Sequence, residues 1–342
     1  MPAESASLVG SLVGGIYRVR RLIGSGGMGE VYAAEGKAGE KVAIKVLHDR
    51  AAQDPDLVAR FQREASIAST IKSPYVAGVV GAGKDRNGRL WIAFERLYGE
   101  GLDERLRREG YLSFAEVAPV IDDALQGLTA AHKAGVVHRD IKPANLFVEK
   151  RRLNAKQIAA DEPEERTRIL DFGVSKIRAR GGRRSEPSLT AFDATLGSFA
   201  YMAPEQVRGS ARVDERADLY ALGAVAFRAL TGRLPFEGTN AMTLIALKLD
   251  REAPSLSQTT HEEWPQAIER FLERMMARDR ERRFTSAEEA LTDWRKVCLV
   301  MGGRTEKPRR APSVMPPDED KTEVTEASFS SMSSVGSVRG GR

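Results

Sequence analysis

The chain has 342 residues, 42% hydrophobic and 30% charged, with a formal net charge of +5. That is enough apolar material for a sizeable core, and the length suits one two-lobed domain or two small ones. One cysteine, Cys298, excludes an internal disulfide framework, no apolar run reaches the ~18 residues of a membrane span, and no secretory leader pattern opens the chain, so a cytoplasmic protein is expected.

Residues 1–15 read as a leader. After them, residues 17–23 and 31–34 are strand-like and flank the glycine-rich run Gly24-Ser25-Gly26-Gly27-Met28-Gly29. Strands on both sides make the run a hairpin tip. In a dinucleotide-binding fold the same glycines would open a helix. Glycines at such a tip let backbone N–H groups approach phosphates without a Cβ in the way. Taken alone, the run could equally be an ordinary turn.

Residues 42–47, Val-Ala-Ile-Lys-Val-Leu, form an apolar strand with one lysine. Alternation puts Ala43, Lys45 and Leu47 on one face. A lysine there is costly unless paired. The spacing predicts a helix over 57–71, with an apolar stripe of Leu57, Phe61, Ala68 and Ile71 that also carries Glu64. Lys45 and Glu64 therefore account for each other. The alternative is two surface charges with their stems laid along the protein.

Further on, Gly135-Val136-Val137 leads into His138-Arg139-Asp140-Ile141-Lys142-Pro143-Ala144-Asn145, and Leu146-Phe147-Val148 follows. Ile169-Leu170 then leads into Asp171-Phe172-Gly173. The apolar runs read as buried strands that hold polar groups at their ends. Asp and Asn oxygens suit a hard cation such as Mg²⁺, and a further carboxylate can accept a proton. This is equipment for phosphoryl transfer.

Together these motifs resemble those of the bacterial eukaryotic-type (Hanks-type) serine/threonine protein kinases, over residues 17–300. The resemblance implies an α+β, two-lobed protein kinase-like fold. Its small β-rich N-lobe (16–94) would carry one main helix. A hinge (95–98) would lead to a larger, mostly α-helical C-lobe (99–300). It implies an ATP-dependent enzyme that phosphorylates protein Ser/Thr hydroxyls in bacterial signalling, with Mg²⁺, or Mn²⁺ in its place. By the resemblance Asp140 is the catalytic carboxylate, Lys142 steadies the γ-phosphate, and Asn145 and Asp171 hold the metal. ATP would meet Ile23, the loop from Gly24 to Gly29, Val31, Ala43, Lys45 held by Glu64, and the hinge at Glu95 and Leu97, behind a Phe94 gatekeeper. Glu205 of Ala203-Pro204-Glu205 would pair with Arg283, and Asp218 would open a following helix.

Three departures stand out. Ala144 occupies a position where basic-directed relatives carry Glu, Ser198 replaces the usual Thr of the substrate platform, and about 149–168 form an extra stretch that reads as a solvated hairpin or loop. Residues 174–190 are rich in arginine. No aromatic residue interleaves them, so no nucleic-acid partner is expected. In a kinase they belong to the activation loop, where Arg139 would receive a phosphate on Thr190 or Thr195. Residues 303–342, rich in Ser, Thr and Pro, read as a disordered tail, with room for a phosphothreonine-reading partner. The resemblance also leaves room for a homodimer.

Overall fold

The computed structural model describes residues 8–26, 29–153, 157, 162–172, 196–209 and 213–302, without the side chains of 196–198. Gly27, Met28, Gly173, Thr190, Thr195, the Ser198 side chain and the 303–342 tail lie outside the described residues. The first sheet has six antiparallel strands: β1 (Leu12–Val13), β2 (Tyr17–Ser25), β3 (Gly29–Glu35), β4 (Lys41–Leu47), β5 (Val79–Lys84) and β6 (Leu90–Glu95). Their order is β1-β2-β3-β4-β6-β5. Helix α1 (Pro55–Thr70) packs on it, started by Asp54, whose carboxylate accepts from Asp56 N–H (2.8 Å) and Leu57 N–H (3.3 Å). Such a cap contributes about 1 kcal/mol.

Strand β4 is buried on both faces and sorts its residues by parity. Ala43 and Leu47 join Phe61, Ala65, Ile92 and Phe94 under α1, whereas Val42, Ile44 and Val46 pack with Tyr17, Val19, Tyr32 and Trp91 on the far side. The stretch taken as a leader contributes to that far layer. Val13 is buried and pairs with Tyr17, because the first sheet otherwise ends on β2 with an open edge.

A second sheet, β7 (Gly99–Gly101), β8 (Leu146–Lys150) and β9 (Glu165–Ile169), lies on a helical body. Its helices are α2 (Leu102–Glu109), α3 (Phe114–Lys133), α4 (Leu196–Tyr201), α5 (Pro204–Val207), α6 (Arg216–Thr231), α7 (Ala241–Asp250), α8 (Leu256–Thr260), α9 (Gln266–Met275) and α10 (Ala287–Met301). Among the described residues no helix is long and apolar enough to cross a membrane. Helix α6 is buried at every residue from Ala217 to Leu230, the pattern of a helix enclosed on all sides. Trp294 of α10 packs on Phe114 and Phe271, and its Nε1–H donates to Ala118 O (3.1 Å).

Two expectations need correction. Residues 135–137 form no strand: Gly135 turns the chain at φ +75°, and the backbone that follows bonds to a side chain of α6. The 149–168 stretch is a hairpin at its described ends, with Glu149 paired to Arg166, but it is not solvated throughout, since Thr167 and Arg168 are buried. The loop end of that hairpin is tied to α2. Arg105 donates to Glu100 Oε1 (2.8 Å) and to both oxygens of Glu165 (3.0 and 2.8 Å), and Arg108 also binds Glu100. The hydrogen bonds from Arg108, with those from Arg105, hold the Glu100 carboxyl at about 2, against an ordinary 4.5. A carboxylate depressed in this way stabilises the fold above its ordinary pKa, and the contribution fades as pH falls from about 4.5 through about 2. The stability gap between wild type and Glu100→Gln is therefore expected to be open at pH 6 and to shrink toward pH 2 in urea titrations. An equal gap at both would contradict this.

Helix α3 lies close against β9. At Gly127 a Cβ would come within 2.8 Å of Ile169 Cδ1 and 2.9 Å of Tyr75 O. The segment before β5 docks on the same strand: Ile169 N–H donates to Tyr75 O (2.8 Å) and Ala77 N–H to Ile169 O (2.9 Å).

Candidate active site

The site lies where the two sheets meet. Strand β8 alternates across the boundary: Leu146 and Val148 point into the helical core, and Phe147 joins the cluster under the first sheet. Leu170 joins that cluster too, with Ile23, Val31, Ala43, Phe94 and Leu97. One apolar slot is thus lined by residues of both lobes. Phe147 and Leu170 were not singled out from the sequence as slot residues, although period-two alternation around Phe147 carried the signal.

At the slot's mouth, β2 and β3 form the predicted hairpin. Gly26 N–H donates to Gly29 O (2.9 Å), and His48 Nε2 lies 3.0 Å from Gly26 O. Gly29 admits no side chain, since a Cβ would lie 2.2 Å from Val46 O. Gly24 and Ser25 pair with Val31 and Glu30.

Behind the loop, Lys45 Nζ donates to Glu64 Oε1 at 2.7 Å and reaches Asp171 Oδ1 at 3.4 Å. Burial works against the ammonium, but the Asp171 and Glu64 carboxylates more than offset it and hold the Lys45 pKa above its usual value. Burial pushes Glu64 up to about 6 despite Lys45. Glu95 is engaged from behind, with its carboxylate accepting from Gly78 N–H (2.6 Å) and from Arg168. Arg168 also donates to Glu149 (3.0 Å) and Val76 O (2.9 Å).

Below the slot, residues 138–145 are held by α6. Asp218 is fully buried; its Oδ2 accepts from His138 N–H (2.8 Å) and its Oδ1 from Arg139 N–H (2.7 Å), and His132 Nε2 lies 2.9 Å from Oδ2. These bonds keep Arg139 at φ +64°. A non-glycine residue in that region costs about 1–3 kcal/mol and needs such support. Asp171 is the second such residue near the site, at φ +43°. His138 Nδ1 accepts from Asp140 N–H (3.2 Å), which leaves Nε2 as the donor to Leu170 O (2.9 Å), and its ring lies 4.8 Å from that of Phe172. Asn145 donates its amide to Asp140 O (2.7 Å) and toward Asp140 Oδ2 (3.3 Å), and Lys142 Nζ reaches the same Oδ2 at 3.3 Å.

Arg283, buried to 1%, grips Glu205 through both carboxylate oxygens at 2.8 and 2.9 Å. Gln206 links the same turn to the 138–145 loop, with its amide donating to Arg139 O (2.9 Å) and its oxygen accepting from Ala203 N–H (3.0 Å).

The protein kinase domain family matches residues 17–294 of the sequence. The chain belongs to this family. It is 36% identical over 310 residues to serine/threonine-protein kinase pkn3 of Myxococcus xanthus, covering 90% of this chain and 54% of that protein. It is 36% identical over 312 residues to PknJ of Mycobacterium tuberculosis, covering 90% and 49%. The chain spans about half the length of these curated relatives. Among solved structures, the Mycobacterium tuberculosis PknI kinase domain superposes with a TM-score of 0.61 at 27% identity, covering 85% of this chain and 99% of that one. The chain therefore stands with the bacterial Hanks-type serine/threonine kinases, and its two-lobed α+β fold is theirs.

Proposed function

We propose that this kinase transfers the γ-phosphate of ATP to serine or threonine hydroxyls of protein substrates. One observation carries the assignment: Lys45 is held between Glu64 and Asp171 on one side of the cleft, facing a loop in which Asn145 and Lys142 converge on Asp140. The slot formed by Ile23, Val31, Ala43, Phe147 and Leu170 suits a planar adenine, with the backbone of Glu95 to Leu97 at its rear edge. The Gly24–Gly29 tip would cover the phosphates, and Lys45 would meet the first two of them.

Asn145 donates its amide nitrogen to Asp140, and its side-chain oxygen would be the atom to meet a cation beside Asp171. Two protein oxygens plus phosphate oxygens suit Mg²⁺, which is ordinarily bound by one or two carboxylates and its nucleotide. Bound there, the metal would offset charge that develops on the transferred group. Asp140 orients the acceptor hydroxyl and takes its proton. Lys142, 3.3 Å away, keeps that carboxylate in place and steadies the γ-phosphate. The rate enhancement then comes chiefly from positioning and fixed charge. ATP as donor argues for a reaction on the cytoplasmic side.

Self-activation belongs to the same proposal. Arg139 Nε is buried without a partner among the described residues. A phosphate on Thr195 or Thr190 would supply charge-assisted bonds to this guanidinium. The test is incubation of the purified chain with Mg·ATP and a generic protein acceptor, followed by mass spectrometry. Phosphoserine or phosphothreonine on the acceptor, together with phosphate between 174 and 195 of the kinase, is expected. Transfer to water alone, or none, would overturn the assignment.

A further inference from the structure

Lys248 of α7 is buried to 1% and takes no part in the chemistry above. Its ammonium donates to Ala200 O at 2.7 Å and Met202 O at 2.8 Å. The remaining surroundings are aromatic: it lies 5.1 Å from the centroid of Tyr220 and 5.9 Å from that of Phe236. No carboxylate among the described residues lies within ion-pair distance. Burial, and after it the Arg283 guanidinium, pull its pKa down to about 7. An enclosed ammonium of this kind persists only where its hydrogen bonds and ring contacts offset the lost hydration.

Those bonds fall on one short segment. Ala200 lies in the last turn of α4, Met202 follows the helix, and Ala203-Pro204-Glu205 opens α5. The far end of the segment is already fixed, by Arg283 on Glu205 and Gln206 on Arg139 O. Arg283 also lies over the Tyr220 ring, 4.9 Å from its centroid. Lys248 and Arg283 therefore brace the two ends of 200–205 against one tyrosine of α6. The stretch just before it, 196–199, joins the activation segment to this brace and carries the expected platform residue Ser198.

We propose that Lys248 is a positioning residue for the protein substrate: by holding the Ala200 and Met202 carbonyls it fixes the platform on which the acceptor segment lies. The proposal rests on the kinase assignment above. It separates substrate docking from nucleotide handling, since among the described residues Lys248 bonds to Ala200 and Met202 and lies by Tyr220 and Phe236, none of them in the slot, the glycine-rich tip or the 138–145 loop.

The experiment compares wild type with Lys248→Met and Lys248→Gln in the full chain. Methionine keeps the length and removes the donors; glutamine restores a donor without the charge. For Lys248→Met, KM for a protein acceptor should rise about ten- to a hundredfold, the weight of a charge-assisted hydrogen bond. KM for ATP and slow ATP hydrolysis to water should hold within about twofold. Lys248→Gln should recover part of the loss. If Lys248→Met does not fold, Lys248→Gln decides on the same split, with a smaller rise in acceptor KM expected. An unchanged acceptor KM, or equal losses in acceptor phosphorylation and ATP hydrolysis, would overturn the proposal. A wild type with no phosphotransfer would instead overturn the kinase assignment.

Discussion

Replacing Asp140 with asparagine is expected to lower turnover by roughly 10²–10⁴, the range for a positioned acid–base group. ATP affinity should stay near wild type. The Asp140 carboxylate faces Lys142 and Asn145, whereas the slot and the Lys45 pair are built from other residues. Asparagine keeps an oxygen for Lys142 and preserves the Asp140 carbonyl that accepts from Asn145, so the loop should survive. Steady-state kinetics with ATP titrated separately from the acceptor tests this. Wild-type turnover in the variant would remove Asp140 from its assigned role.

Lys45→Met is expected to cost both activity and stability. Both members of the Lys45–Glu64 pair have side chains only 7% exposed. Removing one partner of a buried pair leaves the other charge uncompensated and typically costs about 3–5 kcal/mol. Here Asp171 adds a second carboxylate, 3.4 Å from where the ammonium stood. Protein phosphorylation should be lost, since the lysine proposed to meet the nucleotide phosphates has gone with the pair. The double variant Lys45→Met/Glu64→Leu separates the two effects. An apolar pair in the same space should return most of the stability and none of the activity. Urea unfolding of the three proteins provides the measurement, and a single variant as stable as wild type would show that the pair is not the buried unit described.

The Lys45–Glu64 pair was legible because each residue leaves a local conflict that the other resolves. A lysine in a buried strand and a glutamate on an apolar helix stripe predict each other. The glycine-rich tip was legible from its flanking strands. The conformation of 135–142 was not, because its acceptors come from Asp218, 80 positions beyond His138. Its apolar letters look like a strand, but the hydrogen bonds go to a carboxylate. The positive φ values of Arg139 and Asp171 leave no mark in composition. Lys248 was not singled out from the sequence, because the carbonyls that make its burial tolerable come from residues 48 and 46 positions away. The edge strand at Leu12–Val13 is too short for any periodicity to register.

Gly127 gives the cleft its datum surface. Asp171 follows β9 by two residues, the Tyr75 segment bonds to Ile169 of β9, and β9 rests on a helix face where a methyl group is missing. The alignment of the two lobes is therefore gauged from beneath, at a helix residue set against Ile169 and Tyr75. A change there no larger than a single carbon would act as a shim under β9 and the residues that follow it.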